Sequence, residues 1–525
     1  MKYYPIHMHL HCSHEPTASL GSTMSLCKKL GIMHMWTTEH DVRMGKKKRG
    51  VPEFHFSEKE LFITLPNGAK AGFKEEENGG SYAFEETENA LALSIKAQEN
   101  EKESLLFYSK DKAHADPLFS KLTVELSADI DVKASGQVRV EFILSAQPPT
   151  YNQARLCYVF CDMPQKSADE LVQYMPFPKK ENGVYVFPLS ADVSEEIGGL
   201  DNALCNIRLT AENGGEILFR SFAFRRELNF EEVRQEQIKL AKRLEQKWGV
   251  KAFVGFEITN AGNHKNVFST KVPVIDYESL DYKVSNEYAI EHVKKYGGIF
   301  SWNHPFTRHR HLENKAEAFE MVVSELLESR VYGASVIEVG FPIGRDTFQA
   351  KDYLRLWDRL SENGIIITGN GDSDNHRAIA DCWLEGNNFC SFAGLYDGEE
   401  PTEENFVKAF TRGSLWAGNP VVIKDFVFSA QDKPQGSVLK GERICVAFSA
   451  TDIECSGYSV CITNGNEIKR IPIENGKVAG SWTLACEKEY NFARVEIYND
   501  ENVLIAFSNP IYLVGENTKI QERDK

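Results

Sequence analysis

Two imidazoles one residue apart, His9 and His11, stand at the end of an apolar opening run, residues 3–11. Alternate residues of a β-strand point to the same side, so both rings can converge on one metal ion where the strand stops. Their neighbourhood points the same way. The chain has 14 histidines in 525 residues, which on an even spread puts about one in the first 40 positions. Instead His7, His9, His11, His14, His34 and His40 all fall there.

More metal-ligating side chains come at the ends of later apolar runs. Residues 33–38 read as a short buried strand that leads into Glu39-His40-Asp41. Residues 250–256 form another, ending in Glu257, with His264 soon after. Residues 297–302 deliver Asn303-His304-Pro305, residues 335–337 lead to Glu338, and residues 365–368 lead through Gly371-Asp372-Ser373 to Asp374-Asn375-His376. A lone strand histidine is more often a hydrogen-bonded core residue than a ligand, and a strand-end carboxylate such as Glu338 often only pairs with a neighbour. Strand after strand ending in His, Asp or Glu is a different matter, since a parallel barrel gathers its site at the C-terminal rim in this way.

Helical segments lie between these strands. Ser22 is placed to cap a helix through Met24, Leu26 and Leu30 that Gly31 stops. Asn229 with Glu232 resembles a capping box ahead of an apolar stripe of Val233, Leu240, Leu244 and Trp248. Tyr353, Leu354, Trp357 and Leu360 form a third stripe, stopped by Gly364. The alternation predicts an α/β protein with a mostly parallel sheet or barrel.

In this order, the His-x-His start, Thr38-Glu39-His40-Asp41, Gly255-Phe256-Glu257, Asn303-His304-Pro305 and Gly371-Asp372-Ser373-Asp374-Asn375-His376 resemble the polymerase-and-histidinol-phosphatase (PHP) domain. The matching segments are residues 1–45, about 230–310 and about 330–420. The resemblance implies a distorted seven-stranded β/α barrel, two or three divalent metal ions (manganese, zinc or iron) and hydrolysis of phosphoesters. It implies that His9, His11, Glu257 and Asp374 hold one metal, with Glu257 bridging to a second. His264 and His304 then complete that second site, and His40 and His376 belong to a third. Imidazole and carboxylate without thiolate suit those metals. In two places the chain departs from the family pattern. His7 stands near where the family has Asp, so the pair is either His7 with His9 or His9 with His11. Glu39 replaces the usual Asp beside His40, and either His14 or Glu15 is the candidate for the ligand expected soon after His11.

The expected chemistry is hydrolysis by water acidified between two cations that Glu257 bridges, with Glu257, Asp374 and His304 in catalytic roles. Arg43, Arg377, Arg308 and Arg310 follow the ligand motifs and are candidates to hold an anionic small-molecule substrate, sugar-linked compounds among them. The run Lys46-Lys47-Lys48-Arg49 reads as a solvated entry to the next segment. A hydrolase of esters, carbamates or amides uses the same metals, and a glycan-binding protein with a degenerate barrel is the rival of another class.

Residues 50–228 interrupt the motifs with short, often alternating strands and polar turns, which predicts an inserted β-sandwich. Such a unit resembles carbohydrate-binding modules and equally fits a lid or dimerisation domain. After residue 419 alternating strands predict a small C-terminal β-sandwich, similar to the tail of PHP proteins in the branch that includes carbaryl hydrolase. The expected division is barrel at 1–49 and 229–419, insertion at 50–228 and C-terminal sandwich at 420–525. A net charge of −16 argues against electrostatically driven nucleic-acid or membrane binding. No apolar stretch reaches the ~18 residues of a membrane span, and the sequence enters its first motif without a signal peptide, so a cytoplasmic protein is expected. An odd number of cysteines, 11, with no CxxC pair, fits a reducing compartment.

Overall fold

The opening run forms β1 (Lys2–Leu10), which pairs in parallel with β2 (His34–Thr37). That strand pairs in parallel with Lys251–Val254. In this computed structural model the chain is described except for residues 14, 16, 42–52, 56–61, 65–69, 76–81, 87–90, 110–125, 135, 149, 161–169, 225–229, 260–261, 278–279, 281–283, 310–311, 341–347, 378–388 and 521–525. Between the first two strands lies α1 (Leu20–Lys29). Its cap is Ser19, three residues before the one expected. Ser19 Oγ accepts from Ser22 N at 3.0 Å and Ser22 Oγ accepts from Ser19 N at 2.7 Å, so Ser22 is the reciprocal partner inside the first turn. Further on, the helices Phe230–Trp248, Lys315–Glu328 and Ala350–Glu362 bury apolar faces against the sheets.

The seven-stranded β/α barrel does not form: among the described residues the strands close no barrel. Strand accounts for 46% of the described residues and helix for 22%, a balance that one helix per strand does not give. The predicted barrel strands are divided between two sheets. The switch is at Gly255. Its N–H donates to Thr37 O at 2.9 Å, and a Cβ there would meet Val267 O at 2.2 Å, so only glycine permits the close approach at which Lys251–Val254 ends and Phe256–Ile258 begins in the other sheet. That second sheet runs Phe256–Ile258, Lys265–Phe268, Ile299–Trp302, Val336–Gly340, Thr368–Gly371. Its first two pairings are antiparallel and its last two parallel.

On the far side β1 pairs antiparallel with Cys390–Leu395, which pairs with Leu415–Gly418, and that strand pairs with Leu504–Ser508. The first sheet therefore continues into the C-terminal region as one eleven-stranded sheet. Side chains, rather than a neighbouring strand, satisfy the outer edge of Thr368–Gly371. Asn509 accepts from Gly369 N and donates to Gly369 O, both at 2.8 Å, and Ser391 Oγ bonds Gly371.

Residues 50–228 contribute two seven-stranded sheets, mostly antiparallel, around a core that includes Phe107, Phe142, Tyr158, Phe187 and Phe219. A four-stranded sheet, including Ile423–Ala430, Arg443–Ile453 and Val478–Ala485, packs in the C-terminal region. No helix among the described residues is long and apolar enough to cross a membrane.

Asn509 gives a direct check of the edge closure. Its Nδ2 also donates to Leu415 O at 2.9 Å, an oxygen that Asn509 N–H reaches as well at 3.2 Å, so Asn509→Ala leaves the N–H and C=O of Gly369 without these partners and is expected to cost roughly 2 kcal/mol. Asn509→Asp sets a carboxylate against two carbonyl oxygens and is expected to cost more than the alanine variant at neutral pH. Denaturant melts check the order; an aspartate variant as stable as the wild type would contradict this role.

Candidate metal centre

The ends of these strands meet around one carboxylate. Glu257 is fully buried, and five imidazole nitrogens lie within 4 Å of it. His9 Nε2, His264 Nδ1 and His304 Nε2 are 3.3, 3.2 and 3.5 Å from Oε1. His40 Nδ1 and His11 Nε2 are 2.8 and 3.8 Å from Oε2. Asn303 Nδ2 donates to Oε1 at 2.8 Å. Asp374 forms a second focus, its Oδ1 lying 3.2 Å from His9 Nε2, 3.1 Å from His11 Nε2 and 3.3 Å from His376 Nε2. The His11 ring lies against those of both His40 and His376, each centroid 4.2 Å away, and those two rings are themselves 5.5 Å apart.

Burial alone would push both carboxyls up. The imidazoles outweigh it, His264 foremost at Glu257 and His9 at Asp374, and hold each well below the usual carboxylate range. Two ligand candidates also take unusual backbone conformations, with φ of 25° at His304 and 48° at Asp374. Such conformations persist where the surrounding structure over-determines them.

The donor set fits divalent cations. It contains only nitrogen and oxygen, and ligands bound at ~2.0–2.2 Å to a shared cation sit ~3.0–3.5 Å apart, close to the spacings above. Three groups each bring one ligand atom per residue within 4.8 Å of one another: His9, His11 and Glu257; His40, Glu257 and His264; His11, His40 and His376.

Carboxylates outside the cluster orient the rings. Glu338 Oε1 is 2.9 Å from His9 Nδ1, and its Oε2 accepts from His304 N at 2.6 Å. Glu15 Oε1 is 2.9 Å from His376 Nδ1. The pairing left open in the sequence resolves as His9 with His11. His7 Nε2 instead meets Ser373 Oγ at 2.8 Å, and its Nδ1 lies 3.4 Å from Asp372 Oδ1. Burial lowers the His7 pKa to about 3, which keeps that ring neutral. His34 is also away from the cluster, edge-on to Tyr4 and Phe406.

The structure thus gathers His9, His11, His40, Glu257, His264, His304, Asp374 and His376. Of the four arginines, Arg308 donates to Asn263 Oδ1 at 3.3 Å, beside His264, and Arg377 is exposed at the end of the Asp374–His376 motif. Arg43, Arg310, His14 and the run from Lys46 to Arg49 lie outside the described residues. Lys265 was not singled out in the sequence. It is fully buried, and its Nζ donates to Asn263 O at 2.6 Å and Asn286 Oδ1 at 2.7 Å. Burial pushes it down to about 7. The one signal was a lysine directly after His264 at the head of an apolar strand.

No family model and no curated protein matches the chain. Solved structures that match include a carbohydrate-binding module specific for non-crystalline cellulose, at 13% identity over 30% of this chain and 86% of that one, with a TM-score of 0.16. Another is an endo-β-1,4-mannanase from Thermotoga petrophila, at 12% identity over 54% and 61%, with a TM-score of 0.13. At these scores neither likeness carries an argument about fold or function.

The contact of Glu338 with two neighbours yields a test. With Oε2 taken by His304 N–H, a glutamine can keep that bond only by turning its NH₂ to His9 Nδ1. That switches the tautomer so that Nε2–H points into the cluster, where a lone pair is needed. Glu338→Gln is expected to weaken manganese binding by about ten- to hundredfold with the fold intact. Calorimetric titration beside a thermal melt reads both, and undiminished affinity would contradict the orienting role.

Proposed function

We propose that this chain is a metal-dependent hydrolase, and a phosphoesterase in particular. The observation that carries the reading is the convergence of five imidazoles on the buried Glu257 carboxylate. The ordered resemblance of the same residues to the PHP motifs supports it and supplies the reaction class. His9, His11, Asp374 and Glu257 would hold one cation. Glu257, His264 and His304 would hold a second, and His40 with His376 would belong to a third, with Glu15 orienting the His376 ring.

When bound, the cations would acidify water and offset charge on the oxygens of an anionic ester. The protein's part is placement. Glu257 presents its two oxygens to different sets of rings, Glu338 fixes the face that His9 turns to the site, and Asn303 holds Glu257 Oε1 in position. Arg308 and Arg377, the described arginines that follow the ligand motifs, are proposed to hold the substrate's negative charge. The described cysteines are all free, which supports a reducing compartment, the cytoplasm.

A panel of phosphomonoesters, phosphodiesters and acyl esters, run with manganese, zinc and iron, tests the reaction class. Phosphate release without acyl release is expected. Acyl or carbamate cleavage alone would move the assignment to a non-phosphate hydrolase, and no turnover with any loaded metal would overturn it. Within that panel Glu257→Gln, which cannot bridge two cations as a carboxylate does, is expected to reduce kcat by at least about a hundredfold and to lose one metal equivalent. Arg377→Ala is expected chiefly to raise KM. Full activity and full metal content in Glu257→Gln would contradict the bridging role.

A further inference from the structure

The loop between β1 and α1, residues 11–19, carries His11 and Glu15, and a carboxylate fixes each of its ends. At the first end Glu39 Oε1 accepts from Cys12 N and Ser13 N, both at 2.8 Å. At the second end the carboxylate comes from the insertion. Asp201 Oδ1 accepts from Leu20 N at 2.9 Å and Oδ2 from Gly21 N at 2.6 Å. These are the first two amides of α1, which the helix itself cannot satisfy, and a negative charge there also opposes the helix dipole. A Cβ at position 21 would lie 2.9 Å from Asp201 Oδ2, so a side chain there displaces the carboxylate.

Other groups of the insertion hold the same place. Gln147 Oε1 accepts from Ser19 Oγ at 3.2 Å, while its Nε2 donates to Asp201 O at 3.2 Å and Asn202 Oδ1 at 3.1 Å. Tyr151 OH is 3.0 Å from Ser25 Oγ, and Lys29 Nζ lies over its ring. In the middle of the loop are Glu15, at 2.9 Å from His376 Nδ1, and Thr17, whose Oγ1 donates to His376 O at 3.1 Å.

We propose that Asp201 is a positioning residue through which the inserted domain sets the third cation group, by fixing the loop that holds Glu15 against His376. The inference rests on the metal-centre reading above and gives the insertion a part in building the site, beyond any part as a lid. Removing Asp201 takes two amide bonds from one end of the loop and loosens the relation of Glu15 to His376, while His9, His264, His304 and Asp374 keep their places because other segments carry them. The effect therefore falls on one metal equivalent.

The test uses the full chain with manganese as the probe. Metal stoichiometry and stepwise affinities are measured for wild type, Asp201→Ala, Asp201→Asn and Gly21→Ala, with hydrogen exchange at the Leu20 and Gly21 amides. In Asp201→Ala those amides are expected to exchange faster, and the weakest-bound equivalent to lose at least about tenfold in affinity while the others are unchanged. Asp201→Asn, which keeps one acceptor oxygen but turns its NH₂ to the other amide, is expected to restore only part of the loss. Gly21→Ala displaces the carboxylate without deleting it and is expected to match the alanine variant, so the test stands even if Asp201→Ala does not fold. Faster amide exchange with every affinity unchanged would overturn this proposal alone. A wild-type chain that binds no manganese would overturn the metal-centre reading together with it.

Discussion

Everything in this molecule turns on a carboxylate that is buried and surrounded by more imidazole nitrogen than it can satisfy by hydrogen bonding. A carboxylate offers about four acceptor sites, and Glu257 has five rings and the Asn303 amide about it. Protonating all the rings would place several positive charges within a few ångströms of one another in a largely buried site, which is costly. Leaving them neutral directs lone pairs into the same space. Divalent cations between the rings and the two oxygens would resolve both problems, and the proposed hydrolytic chemistry would follow from that resolution.

The fold reads as the means of bringing these atoms together without a closed barrel. One strand ends at Gly255 and resumes in a second sheet, so Glu257 stands where the two sheets approach one another, and His40 reaches it through a lone parallel bridge. Regions without ligands secure the loops that have them. Asn509 holds Gly369, five residues before Asp374. Buried Arg494 joins Asp358 of the helix Ala350–Glu362 to Glu496 of the C-terminal strands. Its charge is compensated on both sides, which a buried guanidinium requires. The insertion acts in the same manner through Asp201 on α1.

How much of this the sequence reveals differs between strands and sheets. His9, His11, Glu257, His304, Asp374 and His376 were legible because each lies within a few residues of the end of an apolar run, and the order of such ends is a local property. Strands near 34–37, 251–254, 299–302 and 336–340 were legible for the same reason. Sheet membership was not. The turn at Gly255 depends on how closely Val267 approaches, and the antiparallel entry of Cys390–Leu395 beside β1 depends on partners hundreds of residues away. A period of two could not separate His7 from His11 as the partner of His9, since each is two residues from it in the opening run; Ser373 and Asp372, which engage His7, make the distinction. Lys265 was hidden because nothing local tells a buried lysine from a solvated one.

The most direct measurement of the central claim is anomalous scattering from crystals grown with manganese or zinc and collected on both sides of the metal's absorption edge. The account expects at least two peaks about Glu257, one shared with His9, His11 and Asp374 and another with His264 or His304, each within ~2.0–2.3 Å of the ligand atoms. A map with no anomalous density among these residues, and water or direct hydrogen bonds satisfying the five rings instead, would contradict it.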